Sequence, residues 1–365
     1  MEVFVPGRLC LLGEHTDWAA GKHKLVNPAI PTGYCIVCAT NEGLFARVQD
    51  FPAGQLRYEH RDAETGEVLQ SIEFALGDAA ALGVEAGKSS FFSYVYGVAA
   101  HLMSLPVVAA AVISSQRGIF INNHTTTLPM KKGLSSSAAI CTVVVQAFSK
   151  HYGLRLSRDE VMDCAFHGEI LTGAKCGRMD QAVAMGEGKV GLMVFNGDSC
   201  ELRELHVGRP LHFVVVDLKR GKDTVKILAE LNAAFPSPQT PEHHLLHQYV
   251  ASNVDLSAEA VRAISVGDCA ALATCMKAAQ AEFDRCAIPN CPSELTSPRL
   301  HQVMAHAALA RVSLAVKGVG SQGDGSAQVL CADEESQREA LRVLQDELVC
   351  EGFLLTVPAS QPEQE

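Results

Sequence analysis

The sequence predicts an α+β protein of two lobes. Three observations carry that expectation. Strand-like segments crowd residues 1–60, helical periodicity dominates 257–284 and 298–312, and 365 residues exceed one ordinary domain. In chain order, Val3–Leu12, Tyr34–Thr40 and Gly43–Gln49 read as strands. A helical stretch over Ser90–Ser104 leads into Val107–Ser114 and Gly118–Asn122, two further expected strands. Leu134–Tyr152 is the clearest helix: Ala138, Val143, Val144, Ala147 and Phe148 recur near helical spacing, and Gly153 ends it. Ser157 and Glu160 form a capping box for the next helix, which runs to about Thr172. Val190–Phe195 and Leu211–Asp217 read as strands, and Pro236–His247 as a surface connection. A strand over Ala327–Cys331 and a helix from Glu334 to Cys350 close the pattern. The expected division is 1–200, 201–357 and a polar, disordered tail over 358–365.

Composition excludes several classes. A formal charge of −11 argues against a nucleic-acid binder, which needs a basic face to neutralise phosphates. It leaves anionic small ligands open, because helix N-termini and a metal supply local positive charge. No run reaches the ~18 apolar residues of a membrane span, and the opening residues lack a secretory pattern. Thirteen cysteines, an odd number scattered through apolar segments, suit reduced thiols and a cytoplasmic setting. Small-molecule partners and a monomer or homodimer are expected.

Four segments could carry chemistry. In Leu128–Ala139, Gly133, Leu134, Ser135, Ser136, Ser137, Ala138 and Ala139 stand directly ahead of the long helix. A helix start offers unpaired N–H groups and partial positive charge, and Gly133 lets the backbone approach a phosphate closely. An ordinary serine-capped helix is the alternative, but three serines and two alanines behind Lys131 and Lys132 exceed what a cap requires. The loop is not a Walker loop, since no Gly-Lys-Ser/Thr follows a strand at the right spacing. Near the N-terminus, Pro6-Gly7-Arg8 leads to Gly13-Glu14-His15-Thr16-Asp17-Trp18. Carboxylates and an imidazole on one turn suit hydrogen bonds to the hydroxyls of a polyol, with a solvated surface turn as the alternative. Glu169 lies eleven residues before Asp180 in Cys176-Gly177-Arg178-Met179-Asp180-Gln181. Such a pair suits one metal ligand and one base, or else a salt-bridged loop. Finally, Gly318, Gly320, Ser321 and Gly323 lie in a glycine-dense loop that either approaches a ligand or is simply flexible.

Taken in this order, the segments resemble the GHMP kinase superfamily, whose members include galactokinases and mevalonate kinases. Pro6 through Asp17 is similar to a galactokinase opening, Pro129–Ala139 to the superfamily's phosphate loop, and Cys176–Gln181 to a galactokinase catalytic segment. Cys10 stands where galactokinases carry Asn, and Trp18 where they carry Tyr. The resemblance implies a two-lobed fold with an N-terminal lobe of mixed sheet and helices and a ferredoxin-like C-terminal lobe. It implies ATP and Mg²⁺ as cofactors and a sugar or related alcohol as acceptor, phosphorylated at the anomeric hydroxyl of a monosaccharide. Alternatives are a GHMP kinase for a uronic acid or mevalonate-type alcohol, and a silent sugar sensor. By the same resemblance Asp180 and Arg8 are catalytic, and Ser136 and Glu169 bind Mg²⁺. Gly133–Ala139 hold the ATP phosphates, Glu14, His15, Asp17 and Trp18 contact substrate, and the Gly318–Ser326 loop closes over it.

Overall fold

The structure, a computed structural model, describes residues 1–128 and 132–361. Residues 129–131 of the expected phosphate loop and 362–365 of the expected tail lie outside the described residues. The strands are β1 (Glu2–Leu12), β2 (Gly33–Phe51), β3 (Gln55–Arg61), β4 (Val68–Ala75), β5 (Gly118–Thr126), β6 (Val190–Asn196), β7 (Ser199–Glu204), β8 (Leu211–Asp217), β9 (Ala315–Gly318), β10 (Ser326–Cys331) and β11 (Glu351–Val357). The class is α+β, as expected. Two compact units form: described residues of 1–8, 39–128 and 135–187 make the first, and those of 9–38, 132–134 and 188–361 the second.

In the first unit, β4 pairs antiparallel with β3, β3 parallel with β5, and β5 antiparallel with residues 44–51 of β2. The Ser136–His151 helix buries Ala138, Ala139, Val143, Val144, Ala147 and Phe148, the apolar face that its spacing announces. The helices Ser93–Ser104 and Arg158–Ile170 meet at two glycines. A Cβ on Gly97 would lie 2.2 Å from the Gly168 carbonyl oxygen, so only glycine permits this approach. The crossing fixes Glu169, the next residue along. The capping box of Ser157 and Glu160 is present.

The second unit contains a four-stranded antiparallel sheet in the order β11-β8-β10-β9. With helices between β8 and β9 and the Glu334–Asp346 helix between β10 and β11, its sequence of elements is βαββαβ, the ferredoxin-like arrangement. That last helix packs Ala340, Val343 and Leu344 against Val214, Val216, Ala327 and Val329 of the sheet. A second core gathers Trp18, Phe235, Leu246, Tyr249 and Phe283 around the helices Pro241–Val266 and Cys269–Ala287. Residues 33–38 of β2 pair with β6 here, and β6 with β7. In the tail, Ser360 bonds Val207 through its N–H and its hydroxyl, each at 2.8 Å.

Two local expectations are corrected. Residues 107–114 are not a strand but part of the Pro106–Ser115 helix, because Pro106 at the first helical position and Ala109–Ala111 favour helix over the β-branched residues' strand preference. The Pro- and His-rich stretch after Pro236 turns helical at Pro241, where the Thr240 hydroxyl accepts from the His243 N–H at 3.2 Å. Among the described residues no single helix is long and apolar enough to cross a membrane. All thirteen cysteines are free thiols.

Candidate active site

In the first unit, β1 carries Arg8, buried at 2% exposure, whose Nη2 donates to Asp180 Oδ1 in an ion pair. Asp180 opens a short 3₁₀ turn, Asp180–Met185, and its side chain keeps 27% of its surface exposed. One residue on, Gln181 Nε2 donates to Glu169 Oε2 at 2.7 Å, and the Ser137 hydroxyl also bonds Glu169. Burial pushes the Glu169 carboxyl up to about 7, and the neighbouring Asp180 charge adds to the rise against these two hydrogen bonds. Burial, then the Glu169 charge, pushes the Tyr94 phenol up to about 12. Sequence reading passed over Tyr94, which hydrogen-bonds Ser137.

The start of the Ser136–His151 helix is not an ordinary capped terminus. Ser135 stands there in the left-handed region (φ 62°) and makes no side-chain cap. Its hydroxyl is buried without a hydrogen-bond partner among the described residues, as is Gln181 Oε1. The first helical N–H groups therefore remain available to an anion. A cavity of about 440 Å³ in the same unit is lined by Tyr58, Phe91, Phe92, Leu128 and, one turn into the helix, Ile140.

The second unit holds the Gly13–Trp18 turn. Gly13 is at φ 95°, where a Cβ would collide with the Tyr34 carbonyl, and Thr16 Oγ1 donates to the Gly13 carbonyl at 2.9 Å. Glu14, His15 and Asp17 are all buried. Glu14 Oε1 accepts from Lys317 Nζ, and its backbone carbonyl accepts from Tyr249 Oη at 3.0 Å. His15 Nδ1 accepts from Trp18 Nε1 at 3.2 Å, and the ring stacks on Phe283 with centroids 5.8 Å apart. Burial drives His15 down to about 4, opposed by a backbone bond to Ser321 and aided by the Lys222 and Lys317 charges. It is neutral at pH 7. Trp18 lies in the core, edge-on to Phe235 at 5.3 Å, and its indole orients His15.

The glycine loop meets Gly133 in this unit. A Cβ on Gly133 (φ 75°) would lie 3.2 Å from the Val319 carbonyl oxygen and 3.5 Å from Lys222 Nζ, and one on Gly320 would meet Gly133 at 3.0 Å. Lys222 Nζ donates to the carbonyls of Val319 (3.2 Å) and Gln322 (2.8 Å), so one ammonium pins both arms of the loop. Ser321 Oγ bonds Thr224 Oγ1 at 3.2 Å. Asp324 is structural: its carboxylate accepts from the Leu300 and Arg299 N–H groups at the start of the Pro298–Met304 helix.

Residues 93–188, which contain the Ser136 helix, Glu169 and Asp180, match the family model described as GHMP kinases N terminal domain. By sequence, these residues are similar to a GHMP kinase N-terminal domain. Over 182 residues the chain is 26% identical to the galactokinase of Thermotoga neapolitana, a match covering 50% of this chain and 42% of that protein. The alignment thus spans less than half the length of this curated relative. The fold is similar to that of Lactococcus lactis galactokinase complexed with galactose over 100% of this chain and 95% of that chain, at TM-score 0.69 and 16% identity. Against the mevalonate kinase of Methanococcus jannaschii it covers 99% and 98% of the two chains at the same TM-score of 0.69 and 15% identity.

The structure brings Arg8 to Asp180, Glu169 to Gln181 and Ser137, and Gly133 to the Val319–Gly320 backbone. Ser137, rather than Ser136, is the serine bonded to Glu169. Sequence reading missed Lys222 and Lys317. Lys317 had a signal: it is the one charged residue of the apolar strand Ala315–Gly318.

Proposed function

We propose that the chain is a GHMP kinase that transfers the γ-phosphoryl group of ATP to a hydroxyl of a small polyol, the anomeric hydroxyl of a free monosaccharide foremost. The observation that carries the reading is the group around Asp180: a partly exposed carboxylate held by Arg8 beside a buried Glu169 and an uncapped helix start. In the reaction the substrate hydroxyl oxygen bonds to the γ-phosphorus. The bond from that phosphorus to the β,γ-bridging oxygen breaks, its electron pair leaves with ADP, and the hydroxyl proton passes to Asp180. Arg8 orients Asp180 and offsets charge on the transferring group. The backbone of Gly133–Ala139 holds the phosphates, and the cavity lined by Phe91, Phe92 and Tyr58 suits the flat base.

A divalent cation fits the residues present. Burial and then the neighbouring Asp180 charge drive the Glu169 carboxyl up, and the Ser135 hydroxyl and Gln181 Oε1 are buried without partners among the described residues. Glu169 with the loop serines would hold Mg²⁺, which when bound would offset phosphate charge.

Equal likeness to a galactokinase and a mevalonate kinase leaves the fold neutral on the acceptor. A sugar is favoured by the buried polar turn of Glu14, His15 and Asp17. A uronic acid is the second candidate, because the charges of Lys222 and Lys317 both reach His15. The test is ADP release from Mg²⁺·ATP across free sugars, uronic acids and mevalonate. A sugar-dependent signal is expected, falling about 100-fold or more in Asp180→Asn. Near-parental activity in that variant would remove Asp180 from the chemistry, and mevalonate as the preferred acceptor would overturn the sugar assignment.

A further inference from the structure

Lys317 and Glu14 form an ion pair with both side chains at 1% exposure, one on β9 and the other directly after β1. Lys317 Nζ also donates to the Gly318 carbonyl at 3.2 Å. Removing two charges from water costs several kcal/mol each, and an apolar pair of equal volume commonly folds as well or better. Stability alone is therefore a weak reason for this pair. The second oxygen of Glu14 points to another. Oε1 is taken by Lys317, while Oε2 is buried and has no hydrogen-bond partner among the described residues. Such an oxygen carries an unmet desolvation cost that a ligand donor would relieve.

We propose that Lys317 is a positioning residue of the substrate turn: it holds Glu14 Oε1 in place, with Oε2 reserved for one substrate hydroxyl. The proposal rests on the polyol-kinase reading above. Glu14 is further fixed by Tyr249 on its backbone carbonyl. The titratable and charged groups around the turn are Lys317, Tyr249, Cys10, Cys35, His15, Asp17 and Lys222. Burial keeps Tyr249, Cys35 and His15 neutral at pH 7, and Lys317 is the cation bonded to Glu14. A carboxylate with one open oxygen accepts and cannot donate. It therefore selects a hydroxyl at its substrate position and discriminates against the deoxy analogue, which would leave Oε2 unmet.

The experiment measures KM and kcat for the best acceptor of the panel in the parent, Lys317→Met, Glu14→Gln and the double variant. Without its ammonium partner Glu14 Oε1 is no longer held in place. Lys317→Met should therefore raise acceptor KM about 10-fold or more near neutrality, with a smaller change in kcat. KM in the double variant should be raised as well. The corresponding deoxy acceptor should show little response to Lys317→Met. Parental KM in Lys317→Met overturns the proposal while leaving the kinase intact. Should that variant not fold, the neutral double variant decides, and parental KM there overturns it equally. Silence of the parent across the whole panel instead overturns the kinase reading beneath it.

Discussion

Glu169 is the residue whose electrostatics are most at odds with its surroundings. Its carboxyl rises to about 7 in the folded chain from an ordinary 4.5, mainly through burial and then through the Asp180 charge. A group whose folded pKa exceeds its unfolded one stabilises fully below the unfolded value, and that contribution is lost as pH rises through the folded value. The parent therefore loses stability between about pH 4.5 and about pH 7, on the order of 3 kcal/mol in all. Glu169→Gln should flatten this slope and gain melting temperature relative to the parent at about pH 8, with little difference near pH 4. Mg²⁺ at that alkaline pH should raise the parent's melting temperature and leave Glu169→Gln unmoved. A parent whose stability is level across this range would contradict the assigned burial and charge. The acidic pair was legible from its spacing around a glycine loop. The Lys317–Glu14 pair was not, because its members are 303 residues apart and only the folded β9 joins them. Trp18 was read as a substrate contact from its place in the motif. Its burial at 4% exposure depends on Phe235, which no local pattern links to it.

Helices set the site by close approach rather than by large side chains. At the crossing of Ser93–Ser104 and Arg158–Ile170, a Cβ on Gly97 would meet backbone, which cannot rotate away. Gly97→Ala should cost about 1–3 kcal/mol in denaturant unfolding and, by displacing Gly168, disturb Glu169 and activity together. Gly83 in the Ala79–Ala86 helix is the control: a Cβ there meets nothing within 4 Å, and Gly83→Ala should be neutral or stabilise by up to about 1 kcal/mol. Equal losses from both would mean that helix propensity, not the crossing, governs. Strong periodicity made the Ser136–His151 helix readable, and the capping box marked Arg158–Ile170. The Pro106–Ser115 helix was misread because Val107, Val108, Val112 and Ile113 mimic a strand; two of them, Val107 and Ile113, are exposed, so burial does not decide the element. The left-handed Ser135 was invisible in sequence, since a serine at a helix start ordinarily caps.

At the scale of the molecule, the α+β class followed from the mixture of periods. Sheet order did not, because the parallel pairing of β3 with β5 and the β11-β8-β10-β9 order join strands far apart in sequence. Net charge is a whole-chain property readable without any fold, and it makes a kinetic prediction. The formal charge is −11, and Mg²⁺·ATP is itself an anion. Within about a Debye length of the surface, about 10 Å at 0.1 M salt, an approaching nucleotide senses the net negative field, which added salt screens. In the proposed complex, short contacts at the Ser136 helix start and other buried groups would be screened far less. Raising salt from about 20 mM to about 200 mM should therefore speed association of a fluorescent Mg²⁺·ATP analogue by roughly 2- to 5-fold and leave its dissociation rate nearly constant. Stopped-flow mixing separates the two rates. An association rate that falls with salt would mean that a local basic face, with Lys222 its nearest candidate to Gly133, outweighs the global charge in steering the nucleotide.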